Sequence, residues 1–255
     1  TVPSAAGTIT DLAVFGDTIL AGDAVSQVFI SFDEGDEFEE VSASDIAGFA
    51  DAADINNTYV AFDPRYASNN FIYAASGDVV ARCEIDESED MGDLEFDDIS
   101  DDMRGDTLTA DFENASAIVV SDDGTQVGES VATLYVSEAI DGGVWRCLNP
   151  EDGTADVIFE QILAGLSGQI FLNLELSPGN ILYAIDTATA TATAVPDVIY
   201  TYEDTLAKPV ELTSPKVKAG LDSETRVAFS WEDLNADTVN VYEIWVNEEE
   251  DFPTA

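Results

Sequence analysis

Tyr59-Val60-Ala61-Phe62-Asp63-Pro64, followed by Phe71-Ile72-Tyr73-Ala74-Ala75-Ser76 and Val80-Ala81-Arg82-Cys83, is a unit that this chain repeats. The next copy reads Ala117-Ile118-Val119-Val120-Ser121-Asp122, Thr133-Leu134-Tyr135-Val136-Ser137 and Val144-Trp145-Arg146-Cys147. A third keeps Leu174-Glu175-Leu176-Ser177-Pro178 and Ile181-Leu182-Tyr183-Ala184-Ile185. A weaker first copy keeps Leu12-Ala13-Val14-Phe15, Ile19-Leu20-Ala21-Gly22 and Val28-Phe29-Ile30-Ser31. Asp/Gly clusters such as Asp33-Glu34-Gly35-Asp36, Ser76-Gly77-Asp78, Ser121-Asp122-Asp123-Gly124 and Asp141-Gly142-Gly143 separate the runs. Asp caps its own turn and Gly takes positive φ, so these read as turns. Short runs rich in Val, Ile, Tyr and Phe between such breakers read as β-strands. Nothing with a helical period competes, and the chain is expected to be all-β.

The period of roughly 50–60 residues suits one four-stranded blade, so residues 1–206 are expected to form about four β-propeller blades. Cys83 and Cys147 follow arginine at matching places in successive copies. They are repeat-equivalent positions. One bridge between them and two small buried hydrophobes are both open readings.

Charge sets the environment. The chain carries 53 acidic residues, 8 basic ones and no histidine, a formal net charge of −45 over 255 residues. Such a field repels nucleic acid and anionic lipid and opposes compaction, unless cations or salt screen it. With 45% hydrophobic and 9% aromatic residues the chain still has the means to bury a core. A cation-rich, extracellular or cell-surface setting is expected, with no nucleic-acid partner. The longest apolar runs, such as Ile118 to Val120 and Ile170 to Leu172, fall far short of the ~20 residues that span a bilayer. A start at Thr1 with no leader pattern is expected of a processed or excised chain.

Ser31-Phe32-Asp33-Glu34-Gly35-Asp36-Glu37-Phe38 has the form S-x-D-x-G-x-x-aromatic. It resembles the Asp-box, or BNR, repeat of sialidase-like and sortilin-like propellers. The resemblance implies that Ser31, Asp33, Gly35 and Phe38 shape a structural hairpin between the outer strands of a blade, away from any catalytic axis. Beyond Leu206 the character changes. Pro209-Val210-Glu211-Leu212-Thr213-Ser214-Pro215, Arg226-Val227-Ala228-Phe229-Ser230-Trp231 and Val241-Tyr242-Glu243-Ile244-Trp245-Val246 resemble the opening strands of a fibronectin type III or Ig-like module. Residues 207–255 are expected to be part of such a sandwich, which needs about 100 residues when whole. The combination resembles bacterial surface-layer and secreted repeat proteins.

The catalytic inventory is thin. Without histidine, Ser/His/Asp and Cys/His schemes are impossible and His-type zinc sites are absent. Sialidases resemble one another in three arginines that bind the substrate carboxylate. Here the five arginines are Arg65, Arg82, Arg104, Arg146 and Arg226, of which two are repeat-equivalent and one lies in the C-terminal module. Paired carboxylates for glycosidase work are uninformative among so many acids. Ca²⁺, which takes six to eight oxygen ligands, is the expected metal. Asp97, Asp98, Asp101 and Asp102 are the first candidates, because four carboxylates in six residues repel one another unless screened. The expected function is non-catalytic: a subunit of a surface layer, sheath or filament, partnered by its own copies or by other chains of the same envelope. The alternative is a carbohydrate-active propeller, sialidase-like or another glycosidase, with an accessory Ig-like domain.

Overall fold

The computed structural model describes residues 7–41, 56–100, 103, 112–126, 129–139, 142–154, 157–162, 170–177, 181–186, 198–204, 211–214 and 230–232. Sheet 1 contains β1 (Ile9–Phe15), β2 (Thr18–Asp23), β3 (Val28–Ser31) and β4 (Glu39–Val41) in sequence order. Sheet 2 follows with β5 (Thr58–Phe62), β6 (Phe71–Ser76), β7 (Val79–Glu84) and β8 (Asp97–Asp98). Sheet 3 is β9 (Ala115–Gln126), β10 (Glu129–Glu138), β11 (Val144–Cys147) and β12 (Phe159–Gln161). Sheet 4 has three strands, β13 (Phe171–Ser177), β14 (Ile181–Asp186) and β15 (Val198–Glu203). Every neighbouring pair is antiparallel. The chain is therefore all-β, with four antiparallel sheets resembling propeller blades.

Two features depart from the sequence reading. Four strands per blade were expected, but no fourth strand was placed at β4, β8 or β12. The Ser121-Asp122-Asp123-Gly124 cluster is no turn: it lies within β9, which stays paired with β10 as far as Gln126 opposite Glu129. Near the C-terminus β16 (Glu211–Ser214) pairs antiparallel with β17 (Ser230–Glu232), placing Leu212 opposite Trp231. The rest of the segment expected to form an Ig-like module lies outside the described residues.

The first strand of each sheet is innermost. β1 packs beside β5, β5 beside β9 and β9 beside β13, whereas β13 does not adjoin β1 in this way. The four described sheets thus fan around an axis, and β13 does not pack on β1 as the other inner strands pack on one another. Between sheets, the front face of one packs on the back of the next. Leu20, Val28, Ile30 and Val41 of sheet 1 share a core with Val60, Phe62, Ile72 and Ala81 of sheet 2. Phe15, Phe62 and Tyr66 stack in that joint at ring separations of 4.7–5.8 Å. Tyr73, Ala75 and Val80 face Ile118, Leu134, Val136 and Trp145 of sheet 3. Ala117, Tyr135 and Val144 face Phe171, Leu174, Leu182 and Ala184 of sheet 4. Period-two alternation in each strand supplies both faces.

Sheets 1 and 2 approach so closely that a Cβ at Gly22 would lie 2.3 Å from the Thr58 carbonyl oxygen. Two inner-strand side chains finish this joint. Thr10 Oγ1 donates to the Thr58 carbonyl at 2.9 Å, and Asp11 accepts from the Val60 amide at 2.9 Å.

The other joints are fastened by charge. Tyr73 stands opposite Arg82 in sheet 2, and Tyr135 opposite Arg146 in sheet 3. Both tyrosine hydroxyls donate to a buried aspartate, Tyr73 to Asp63 at 3.1 Å and Tyr135 to Asp204 at 2.7 Å. Arg82, over the Phe71 ring, donates to the carbonyls of Pro150 and Asp152 in the loop between β11 and β12 of sheet 3, at 2.7 and 2.9 Å. Arg65 pairs with Glu151 of the same loop. Arg146 pairs with Glu160 in its own sheet and with Asp204 after the last strand of sheet 4. Burial alone would lower the pKa of Arg146, but the carboxylates of Asp204 and Glu160 outweigh it and hold the guanidinium charged. The phenols of Tyr73 and Tyr135 are pushed up, first by burial and then by the aspartate each faces.

Replacing Arg146 with Met strands the buried Asp204 charge and is expected to cost about 3–5 kcal/mol. Tyr135→Phe removes one donor to the same carboxylate and is expected to cost about 1–3 kcal/mol. Urea unfolding at fixed salt checks both, and Arg146→Met combined with Asp204→Leu should recover most of the first loss.

Candidate functional site

The inner strands of all four sheets line one cavity of about 700 Å³. Its walls run from Thr10 to Phe15 on β1, Tyr59 to Pro64 on and after β5, Ala117 to Val120 on β9 and Leu172 to Leu176 on β13. Alternation along β1 sends Ala13 and Phe15 into the joint with sheet 2 and leaves Leu12 and Val14 exposed on the other side. The wall formed by β13 presents Leu172, Asn173 and Glu175. Polar groups are few: Thr10, Asp11, Tyr59, Asn173 and Glu175, with Asp63 at the buried end of β5. The exposed lining is more polar than apolar, unlike the mostly apolar cleft of a usual small-ligand site. Burial raises the Asp11 carboxyl above the usual carboxylate range, against the opposing pull of the Val60 and Leu12 amides. Chemically this wall offers hydrogen bonds to a hydroxyl-bearing ligand and, at Glu175, a solvated negative charge.

The three described arginines are elsewhere. Arg65, Arg82 and Arg146 sit at the joints between sheets, bound to carboxylates and carbonyls there. Arg104 and Arg226 lie outside the described residues.

The hairpin of the Ser31–Phe38 motif joins β3 to β4, at the outer edge of sheet 1 and away from the cavity. Ser31 Oγ donates to Asp33 Oδ1 at 2.7 Å and accepts from the Gly35 amide at 3.0 Å. The same Asp33 oxygen accepts from the Glu37 amide at 3.0 Å. Gly35 adopts φ +92°, which an L side chain resists, and a Cβ there would stand 3.7 Å from the Phe38 ring. The hairpin is thus closed by one serine and one aspartate.

Asp97 and Asp98 do not converge on a cation. They are successive residues of β8, so their side chains leave opposite faces of the strand. Asp97 lies 3.6 Å from Arg82. Asp98 accepts from the Ser100 amide and hydroxyl at 2.9 and 2.7 Å. Asp101 and Asp102 lie outside the described residues, and among those described no three carboxylates or thiols gather as a metal site.

Cys83 and Cys147 are both free and buried. They occupy equivalent strands, but Cys83 belongs to the joint between sheets 1 and 2 and Cys147 to the joint between sheets 2 and 3. Different layers hold them apart, so the bridge left open by the sequence is not made. Burial, reinforced by Asp97 and Glu84, pushes the Cys83 thiol up to about 12, which keeps it protonated and unreactive.

No protein-family model matches the sequence, and no curated protein is significantly similar to it. Among solved structures, the computationally designed Ika4 protein is 11% identical over 80% of this chain and 95% of its own, with a TM-score of 0.47. YCF48 from Cyanidioschyzon merolae is 12% identical over 79% of this chain, with a TM-score of 0.45. The GH74 enzyme of Niastella koreensis is 13% identical over 76%, with a TM-score of 0.48. The chain spans 58% of the length of YCF48 and 28% of that of the GH74 enzyme. Nothing about activity passes from likenesses this distant.

The amide of Glu37 and the hydroxyl of Ser31 hold Asp33 below the usual carboxylate range. A carboxylate with a depressed folded pKa stabilises the fold above its unfolded value near ~4 and loses that contribution as pH falls through the folded value. Asp33→Asn is therefore expected to flatten the loss of stability as pH falls below about 4. Thermal unfolding of both proteins across that range measures the difference.

Proposed function

We propose that this chain is a non-catalytic structural subunit of an extracellular or cell-surface assembly such as a surface layer, sheath or filament. The observation that carries the reading is that both ends of the fan are unfinished. Leu12 and Val14 on sheet 1, and Ile185 and Ile199 on sheet 4, are apolar and exposed in a chain of formal charge −45. Exposed apolar faces of this kind mark interaction surfaces. The placement of Arg65, Arg82 and Arg146 at internal joints supports it too, since it leaves the exterior acidic. Cations act on that acidic exterior as a neutralising atmosphere. Among the described residues, no helix is long and apolar enough to cross a membrane.

Two finer readings belong to the same proposal. The Ser31–Phe38 hairpin supports kinship with Asp-box propellers. The antiparallel pairing of Leu212 with Trp231 supports a fibronectin type III-like start to residues 207–255. A second reading, a carbohydrate-active propeller, draws on the cavity containing Asp11, Tyr59 and Glu175.

Light scattering and electron microscopy with added Ca²⁺, and again after chelation, test the first reading. Cation-promoted assembly is expected, and a particle that remains a monodisperse monomer throughout overturns it. A glycan-cleavage screen tests the second: turnover that is lost in both Asp11→Asn and Glu175→Gln would establish that reading in place of the first.

A further inference from the structure

Within the chain, every joint between sheets has one form. The front of a sheet, carrying the second-strand residue at the Leu20, Tyr73 or Tyr135 position, packs on the back of the following sheet. Sheet 4 repeats the pattern, because Tyr183 stands where Tyr73 and Tyr135 stand in the repeat. Yet Tyr73 and Tyr135 are 0% exposed, while Tyr183 is 37% exposed. On the same face Ile185 pairs directly with Ile199, which is 65% exposed. Leu174, Leu182 and Ala184 point the other way, into the joint with sheet 3. Among the described residues, sheet 4 thus ends in a joint face with no sheet upon it.

Sheet 1 supplies the complement. Leu12 and Val14, 60% and 67% exposed, project from its back, the side that sheets 2, 3 and 4 each turn toward the sheet before. Within one chain these two faces do not join, since β1 and β13 do not adjoin as the other inner strands do.

We propose that a second copy of this chain completes the fan: sheet 4 of one copy packs its Tyr183, Ile185 and Ile199 face on the back of sheet 1 of the other. This rests on the assembly proposed above and names its interface. Charge selects a second copy at this place. Two chains of −45 repel one another over most of their surfaces, but β14 and β15 contain only Asp186 and Glu203 as charged residues, and β1 contains only Asp11. The approach of least repulsion is therefore between these strands. Both halves of the joint lie on each chain, so two copies related by a two-fold axis make it twice and bring their eight described blade-like sheets into one ring.

Sedimentation velocity in about 1 M NaCl, where the screening length falls to about 3 Å, tests the joint. The unaltered chain is expected to sediment as two copies. A front variant, Ile185→Asp with Ile199→Asp, and a back variant, Leu12→Asp with Val14→Asp, should each weaken association at least about tenfold, since each puts charge into an apolar joint. Mixed together, they should associate through the one intact joint, between sheet 4 of the back variant and sheet 1 of the front variant, more weakly than the unaltered chain but more strongly than either variant alone. All four positions are exposed, and unaltered circular dichroism and melting establish that the variants fold. A back variant that still pairs with itself, or a mixture that does not associate, overturns the joint. If the unaltered chain assembles and neither variant affects it, the interface is wrong while the assembly reading stands. If the chain stays monomeric in high salt and with Ca²⁺, both fall.

Discussion

A guanidinium buried between two sheets is the contact on which the second half of this fold depends. Sheets pack face to face through apolar side chains, but a chain this acidic resists being gathered together. Arg82 and Arg146 answer that resistance at the seams. Each reaches from the third strand of one sheet to the chain that leaves the third strand of the next, Arg82 to the carbonyls of Pro150 and Asp152 and Arg146 to Asp204. Being buried, these contacts are screened far less by salt than the acids outside. Salt therefore relieves the repulsion and leaves the clamps intact. The first joint, which has no arginine of this kind, relies instead on close approach at Gly22 and the stack of Phe15, Phe62 and Tyr66.

The acids inside the fold follow the same economy. Asp23, Asp63, Glu138 and Asp204 are the buried acids among the described residues. Asp23 accepts three backbone amides, from Gly7, Val25 and Gln27. Asp63 accepts from Tyr73 and the Arg65 amide. Glu138 takes the Glu113 amide and the Trp145 indole. A buried charge is tolerated only when so partnered. The remaining described acids lie at least partly in solvent, where their number is a property of the surface.

The inner three strands of each sheet were legible because burial on two faces writes Val, Ile, Leu, Tyr and Phe into them. The outermost strands were not. Glu39-Glu40-Val41, Asp97-Asp98 and Phe159-Glu160-Gln161 are edge strands of two or three residues whose charge blunts the edge and hides the strand. Asp and Gly at Asp122, Asp123 and Gly124 suggested a turn, but pairing with β10 overrode local preference. In the acid run that starts at Asp97 the sequence did not show that Asp97 and Asp98 are successive strand residues, whose side chains leave opposite sides. The Tyr and Arg of the repeat were visible as a pattern. Their work as a clamp was not, since Asp63 and Asp204 lie ten and sixty-nine residues from the tyrosines they bind. Asp11 in the cavity could not be told from fifty-two other acids.

Asp204 is also the point at which the chain leaves sheet 4. Its carboxylate is held by Arg146 and Tyr135, both of sheet 3. A pull on the C-terminal side of the molecule is therefore borne by the neighbouring sheet before it can peel β15 from β14. The strand pair that would unzip one hydrogen bond at a time is shielded by a contact that must break at once. For the proposed assembly, tension on that side is met first by a single buried carboxylate.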